Sequence, residues 1–390
     1  MKWTIVFCLA FLFTLPLSAQ KWERLTRKVN HHFEQSDFSA AMDDALRILE
    51  YSVERLDSTD SRYTLSHFYV AKAYASLGDP GNAKPYIQIA YGLMLPNIAY
   101  TENMAEISRL YGEIETDLGY HRSAERLLNY ALDIGAELDG PESLPYLLSL
   151  YALADLEMAR ARWDEMLGIL TAALQIHERN FPLDQDYAVY ANYLGLLFMN
   201  SERRQEAILY FGKSLSAYQA ESLPEDLTCA NAHNNLGLIY YYQSEFEDAA
   251  MHFEHAGTIY PELMEGYSEN YMMLLSNQAS LYYSWGKTGR MEESYKALGE
   301  YLENYDERVD LPYIQGVENM AGFHASDGNF EKSEACFLRA IEARKSLEPL
   351  DSEGLMRTIQ TLISVCEELN QTEKARYYRK MAEQIMLRQN

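Results

Sequence analysis

Apolar residues recur every three or four positions along almost the whole chain after residue 20. This spacing places them on one face of an α-helix. The clearest stretch covers residues 231–242, is interrupted by a short polar segment at 243–246, and resumes at 247–256. The pattern predicts two helices joined by a short turn.

The predicted helix pair repeats with a period of about 42 residues. Small residues mark the same position of the first helix in successive units: Ala71, Gly112, Ala154, Gly195, Gly237, Ala279 and Ala321. A unit of this size can bury its apolar face only against its neighbours. The sequence therefore predicts a stacked array over residues 20–390, with units near 22–55, 64–97, 105–138, 147–180, 188–221, 230–263, 272–308, 314–347 and 356–389.

One unit carries a family resemblance in its small and aromatic positions, which are Leu236, Gly237, Tyr240, Ala249, Phe253, Ala256 and Pro261. These residues resemble the tetratricopeptide repeat, and the other units match the same pattern in part. The resemblance implies an all-α, right-handed superhelical solenoid of about nine antiparallel helix pairs. The 42-residue period is similar to that of kinesin light chains and of bacterial exported repeat proteins.

The period exceeds the family's usual length of about 34 residues. The additional residues form connectors that mix proline or glycine with acids, as at 180–186, 221–226 and 306–312. Proline disfavours continuation of the preceding helix, and an acid favours the N-terminus of the next one. We therefore expect each connector to end one unit and begin the next.

Residues 1–19 have the composition of a secretory signal. Lys2 provides the positive end, residues 5–15 are apolar, and Leu17, Ser18 and Ala19 form a small-residue cleavage site before Gln20. No later stretch is apolar for long enough to span a membrane. We expect an exported protein of bacterial type, periplasmic or secreted.

The net charge of −25 argues against nucleic acid and anionic lipid as partners. The mature cysteines, Cys229, Cys336 and Cys366, lie in different units and form no compact disulfide framework. We expect them to be buried thiols.

A row of asparagines is the best functional signal. Asn235, Asn277 and Asn319 recur at steps of 42, and Asn192 and Asn234 occupy the preceding position in two units. The resemblance implies that first helices line a concave groove, with Asn234 and Asn235 similar to the groove-lining asparagines of kinesin light chains. An asparagine amide both donates and accepts, so a row of them can hold a peptide backbone.

Three residues flank the row and complete the predicted peptide- or protein-binding site: Asn231, Tyr241 and Tyr242. The alternative is that the asparagines bond neighbouring helices or water, and that the tyrosines serve packing.

Motifs typical of catalysis or metal binding are incomplete. Gly286, Lys287 and Thr288 lack the earlier glycine of a phosphate-binding loop. His252 and His255 lack a third metal ligand. We therefore expect no catalytic residue, metal or cofactor, and a protein that binds a peptide or protein partner in its groove. The alternatives are a scaffold that uses its outer face or ends, and the sensory component of a signalling system with a separate effector.

Overall fold

A computed structural model describes residues 17–95, 102–263, 268–304, 310–347 and 351–389. These residues form eighteen α-helices and no strand. The helices are α1 (Leu17–Glu34), α2 (Phe38–Arg55), α3 (Ser61–Ser76), α4 (Pro80–Met94), α5 (Glu102–Asp117), α6 (His121–Asp139), α7 (Leu144–Ala159), α8 (Trp163–Asn180), α9 (Gln185–Asn200), α10 (Arg204–Ala220), α11 (Leu227–Tyr242), α12 (Phe246–Leu263), α13 (Glu269–Trp285), α14 (Thr288–Asn304), α15 (Leu311–Ser326), α16 (Phe330–Lys345), α17 (Ser352–Glu368) and α18 (Thr372–Gln389).

Consecutive helices pack in pairs, α1 with α2 through α17 with α18. We call the odd-numbered helices first helices and the even-numbered ones second helices. The predicted all-α array of helix pairs is confirmed. Residues 1–16, which hold most of the predicted signal, lie outside the described residues.

The small residues of the first helices allow the close crossing within a pair. A Cβ atom built on Gly237 would lie 2.5 Å from the Phe253 ring, and one on Gly195 would lie 2.7 Å from the Phe211 ring. Phe253 and Phe211 are both completely buried. The apolar ring of the second helix therefore occupies the space that a side chain on the first helix would need.

The connectors cap the first helices, as their acids predicted. The side chains of Asp184, Asp226, Asp310 and Asp351 each accept a hydrogen bond from a backbone N–H in the first turn of the following helix, and Ser268 does the same for α13. These bonds satisfy amides that have no partner within the helix.

The turn inside each pair contains one residue with positive φ. These residues are Ser36, Gly78, Gly119, Ala161, Glu202, Ser244, Gly286, Gly328 and Asn370. The left-handed conformation ends the first helix and reverses the chain. Gly286 has φ +73° and is the C-cap of α13, so its place in the sequence is explained by the turn.

The chain divides into two compact units, Met1–Leu183 and Asp184–Asn390. Within the second unit, first helices also pack on one another: α9 on α11, α11 on α13, and α13 on α15. Of the helices described, none is both long and apolar enough to cross a membrane.

Candidate functional site

All eight residues of the predicted site lie on first helices of the second unit, on α9, α11, α13 and α15. Positions three, four and seven apart share one side of a helix. Six positions on one side of α11 are 231, 234, 235, 238, 241 and 242. These positions and their equivalents at steps of 42 residues on α9, α13 and α15 form what we call the first-helix face. It consists of Val189, Asn192, Tyr193, Leu196, Met199, Asn200, Asn231, Asn234, Asn235, Leu238, Tyr241, Tyr242, Met273, Ser276, Asn277, Ser280, Tyr283, Ser284, Gln315, Glu318, Asn319, Gly322, Ala325 and Ser326.

The asparagines of this face differ in exposure. Asn192, Asn234 and Asn235 are 4%, 8% and 9% exposed, whereas Asn277 and Asn319 are partly exposed. The close packing of neighbouring first helices encloses the former group. Part of the predicted row therefore lies between helices, and part of it reaches the surface.

Asparagines of neighbouring first helices bond to each other. Asn277 Nδ2 on α13 donates to Asn234 Oδ1 on α11, with 3.3 Å between the two atoms. Asn192 Oδ1 and Ser276 Oγ are buried, and neither has a hydrogen-bond partner among the residues that the structure describes. Ser276 occupies the column of Asn192 and Asn234, and extending that column by one unit would have found it in the sequence.

Asn231 joins three helices. Its Oδ1 accepts from the Tyr260 hydroxyl of α12 at 2.6 Å and from Asn270 Nδ2 of α13 at 3.2 Å. Tyr260 is completely buried, and burial raises the pKa of its hydroxyl above the usual value. The hydroxyl therefore remains a donor, and Asn231 has a packing role in addition to its place on the face.

Tyrosines cover the C-terminal end of the face. Tyr242 is 69% exposed and Tyr283 is 58% exposed, and the ring centroids of Tyr241 and Tyr242 lie 5.4 Å apart. The Tyr241 hydroxyl is hydrogen-bonded to Ser284 Oγ at 3.0 Å, which links α11 to α13. The sequence prediction omitted Tyr283, although this residue occupies the same position in α13 as Tyr241 does in α11.

The α15 end of the face holds its only charged side chain, Glu318. Both carboxylate oxygens of Glu318 accept hydrogen bonds at 3.0 Å from the guanidinium of Arg344, which is 6% exposed. Thr358 also donates to Glu318. Next to this ion pair, Asn319 Oδ1 accepts from Gln315 Nε2 at 3.0 Å. Arg344 also pairs with Asp351, so one buried guanidinium serves two carboxylates, and both oxygens of Glu318 accept hydrogen bonds from within the protein.

Histidines cluster beside the face, between α11 and α12. His233 joins the sequence-predicted pair: its Nδ1 lies 2.8 Å from His252 Nδ1, and its ring centroid lies 4.3 Å from that of His255. Burial and the two neighbouring imidazoles lower the pKa of His233 to about 3. Burial also lowers the pKa of His252. Both rings are therefore neutral at neutral pH and act as packing groups.

Metal ligation and thiol chemistry have little support in the described residues. No group of three or more His, Cys, Asp or Glu side chains there is arranged to hold a metal ion. Cys229 and Cys366 are buried, and both they and Cys336 are free thiols. Burial raises the pKa of Cys229 to about 12, so that thiol is a poor nucleophile.

No family model matches this sequence, and no curated protein matches it. Solved structures do match the fold. The apo form of RapI has a TM-score of 0.56 at 14% identity, covering 89% of this chain and 92% of its own. The apo form of the quorum sensor NprR from B. thuringiensis has a TM-score of 0.51 at 15% identity, covering 90% and 99%.

A signal transduction ATPase with a tetratricopeptide repeat sensor from Pyrococcus horikoshii has a TM-score of 0.62 at 14% identity. The match covers 86% of this chain and 54% of that protein. The fold is therefore that of a tetratricopeptide-like helical array, as the small and aromatic positions of the repeat predicted.

Proposed function

We propose that the protein is a non-catalytic binding module whose first-helix face holds an extended segment of a peptide or protein partner. The observation that carries this proposal is the continuity of the face. Four first helices pack side by side, and equivalent positions on them present amides, hydroxyls and tyrosine rings.

Hydrogen bonds across the face support the proposal. The Asn277–Asn234 and Tyr241–Ser284 bonds tie α11 to α13, so the surface is organised before a ligand arrives. Such preorganisation lowers the ordering cost of binding. An amide on each of several helices can then bond a peptide backbone with little regard for its side chains.

The experiment uses accessible positions of the face. In the full chain, Asn277→Ala, Asn319→Ala and Tyr242→Ala are combined, and partners retained from the producing organism are compared with those of the unaltered chain. Removing two amides and one exposed ring is expected to weaken retention at least tenfold, about 1.4 kcal/mol. Asn235 is omitted because it is almost fully buried.

A matched control uses Tyr377→Ala, which removes a ring of similar exposure, 60%, from second helix α18. Partners lost with the triple variant and kept with Tyr377→Ala support the proposal. Partners kept by a folded triple variant and lost with Tyr377→Ala favour the scaffold alternative, in which the outer helices bind.

A second candidate is a sensory role with a separate effector. Two structural matches are named as a quorum sensor and as a protein with a repeat sensor, and both have TM-scores above 0.5. In that case ligand binding changes how the protein engages an effector. Measuring effector capture with and without bound peptide distinguishes a sensor from a simple adaptor.

We also propose that the protein is exported. The proposal rests on the signal-like composition of residues 1–19. Among the side chains of α1 that are described, those of Trp22, Leu25 and Val29 are buried in the core. Cleavage before Gln20 would leave these three core side chains in the mature protein.

A further inference from the structure

We infer that the ligand segment on the first-helix face is electrically neutral. This inference rests on the proposed function and specifies the chemistry of its ligand. Apart from Glu318, no residue of the face carries a formal charge, and Glu318 is bound by the buried guanidinium of Arg344. Within the face so defined, a charged ligand therefore finds no other counter-ion. The next charges on the same sides of α9 and α13 are Asp186 and Glu269, which lie three and four residues before Val189 and Met273.

This neutrality is local. The second helices of the same unit carry many charges, among them Glu247, Asp248, Glu254, Arg290, Glu292, Glu293 and Lys296 on α12 and α14. A first helix of the other unit is also charged: α5 carries Glu106, Arg109, Glu113 and Asp117. Lack of charge is therefore not a general property of first helices in this chain.

Neutrality matters because the chain as a whole has a net charge of −25. Its long-range field attracts cations. At the face itself, however, a lysine or an aspartate would lose hydration without gaining a partner of opposite charge. Burying a charge in this way is unfavourable. A cationic ligand is therefore attracted by the overall field but disfavoured in contact with the face.

The groups on the face match a neutral peptide. Asn277 and Asn319 are partly exposed amides, and Tyr242 and Tyr283 are exposed rings. Amides pair with backbone N–H and C=O groups, and tyrosine rings provide contact area at small entropic cost. Adjacent helices lie about 8–10 Å apart, and an extended chain advances about 3.3 Å per residue. The segment then advances about three residues per helix, or about ten residues over four helices.

The test uses capped decapeptide libraries and the full chain. All three libraries share random positions drawn from Ala, Asn, Gln, Leu, Pro, Ser, Thr and Tyr. One has no charge, one adds fixed lysines and one adds fixed aspartates. We expect the neutral library to be retained about tenfold more strongly than either charged one. Its retention is expected to be unchanged between low and high salt, because no ion pair is formed.

Two glycines provide matched variants. Gly322 lies on the face and Gly212 on second helix α10, and a Cβ atom at either position meets nothing within 4 Å. Gly322→Lys is expected to shift preference towards the aspartate library by at least about threefold, since it adds a counter-ion to the face. Gly212→Lys is expected to leave the preference unchanged.

Stronger retention of the lysine library by the unaltered chain, lost at high salt, would overturn the inference and leave the proposed function standing. An equal effect of Gly212→Lys would also overturn it, because the preference would then come from overall charge. Retention of none of the three libraries by a chain with native helix content contradicts the proposed function itself.

Discussion

At the scale of single residues, the asparagines of the face have two different roles: some connect neighbouring helices, and one bonds a residue of its own helix. Asn231 accepts from the buried Tyr260 hydroxyl and from Asn270, so it holds α11, α12 and α13 together. Within the described part of the chain, the hydrogen bond of Asn319 is to a neighbour on its own helix, Gln315. The sequence analysis assigned both residues to one binding site, because residue type and spacing do not reveal which amide oxygen already accepts a hydrogen bond within the protein.

This difference predicts unequal effects on stability. Asn231→Ala leaves the buried Tyr260 hydroxyl without its acceptor, and we expect a loss of about 1–3 kcal/mol in the free energy of unfolding. Asn319→Ala removes a surface pair within one helix, with an expected cost below about 0.5 kcal/mol. Chemical denaturation of both variants measures the difference, and equal losses would contradict the packing role of Asn231.

The histidine cluster predicts a pH dependence. The folded-state pKa of His233, about 3, lies below the ordinary value of about 6.5. The unfolded chain therefore binds a proton first as the pH falls, and stability is lost from about pH 6.5 downwards until about pH 3. Above pH 6.5 both states are neutral at this site, and the contribution is fully present.

The variant His233→Asn tests this effect. It removes one titrating group, so the slope of the unfolding free energy between pH 6.5 and pH 4 should fall by up to about 1.4 kcal/mol per pH unit. Carboxylates elsewhere titrate equally in both proteins and cancel in the comparison. An unchanged slope would show that His233 titrates normally in the folded protein.

At the scale of helices, the repeat period predicted the architecture well. The small position of the first helix, the large apolar side chain opposite it and the acid before the next helix were readable from the sequence; the opposing side chain is Leu128 in one unit and a phenylalanine in two others. Each is confirmed by a contact: Gly237 against Phe253, and Asp226 against the amides of Thr228 and Cys229. These features are local or repeat at a fixed interval, so a single sequence contains them.

Other features depended on geometry that the period does not encode. Pro261 belongs to the repeat pattern near the end of its unit, yet α12 continues to Leu263 with the proline inside the helix. The burial of Asn234 and Asn235 follows from how closely α9, α11 and α13 pack. The third histidine, His233, comes from the other helix of the pair, and local spacing around His252 could not reveal it.

The close crossing of helix pairs can be tested with two alanine substitutions. Gly237→Ala places a methyl group 2.5 Å from the buried Phe253 ring, and we expect it to destabilise the protein by about 1–3 kcal/mol. Gly212→Ala in α10 has open space around the new methyl group. There the better helix propensity of alanine should stabilise the protein by about 0.5–1 kcal/mol. Thermal unfolding of both variants checks the opposite signs.

At the scale of the whole molecule, export rests on residues 1–19, most of which lie outside the described residues. We predict a mature protein that begins at Gln20. Ala19→Lys, which removes the small residue at the cleavage site, should leave a longer precursor. Intact-mass analysis of the protein from the producing cell checks this, and a native chain that retains Met1 would contradict the prediction.

Both binding proposals depend on partners binding at the neutral first-helix face. The most direct measurement is site-specific photo-crosslinking in the producing cell, with the photoreactive side chain at Tyr242 on the face or at Tyr377 on α18, two sites of similar exposure. We expect a crosslinked partner from Tyr242 and none from Tyr377. Crosslinking from Tyr377 alone would contradict this expectation and place the binding surface on the second helices.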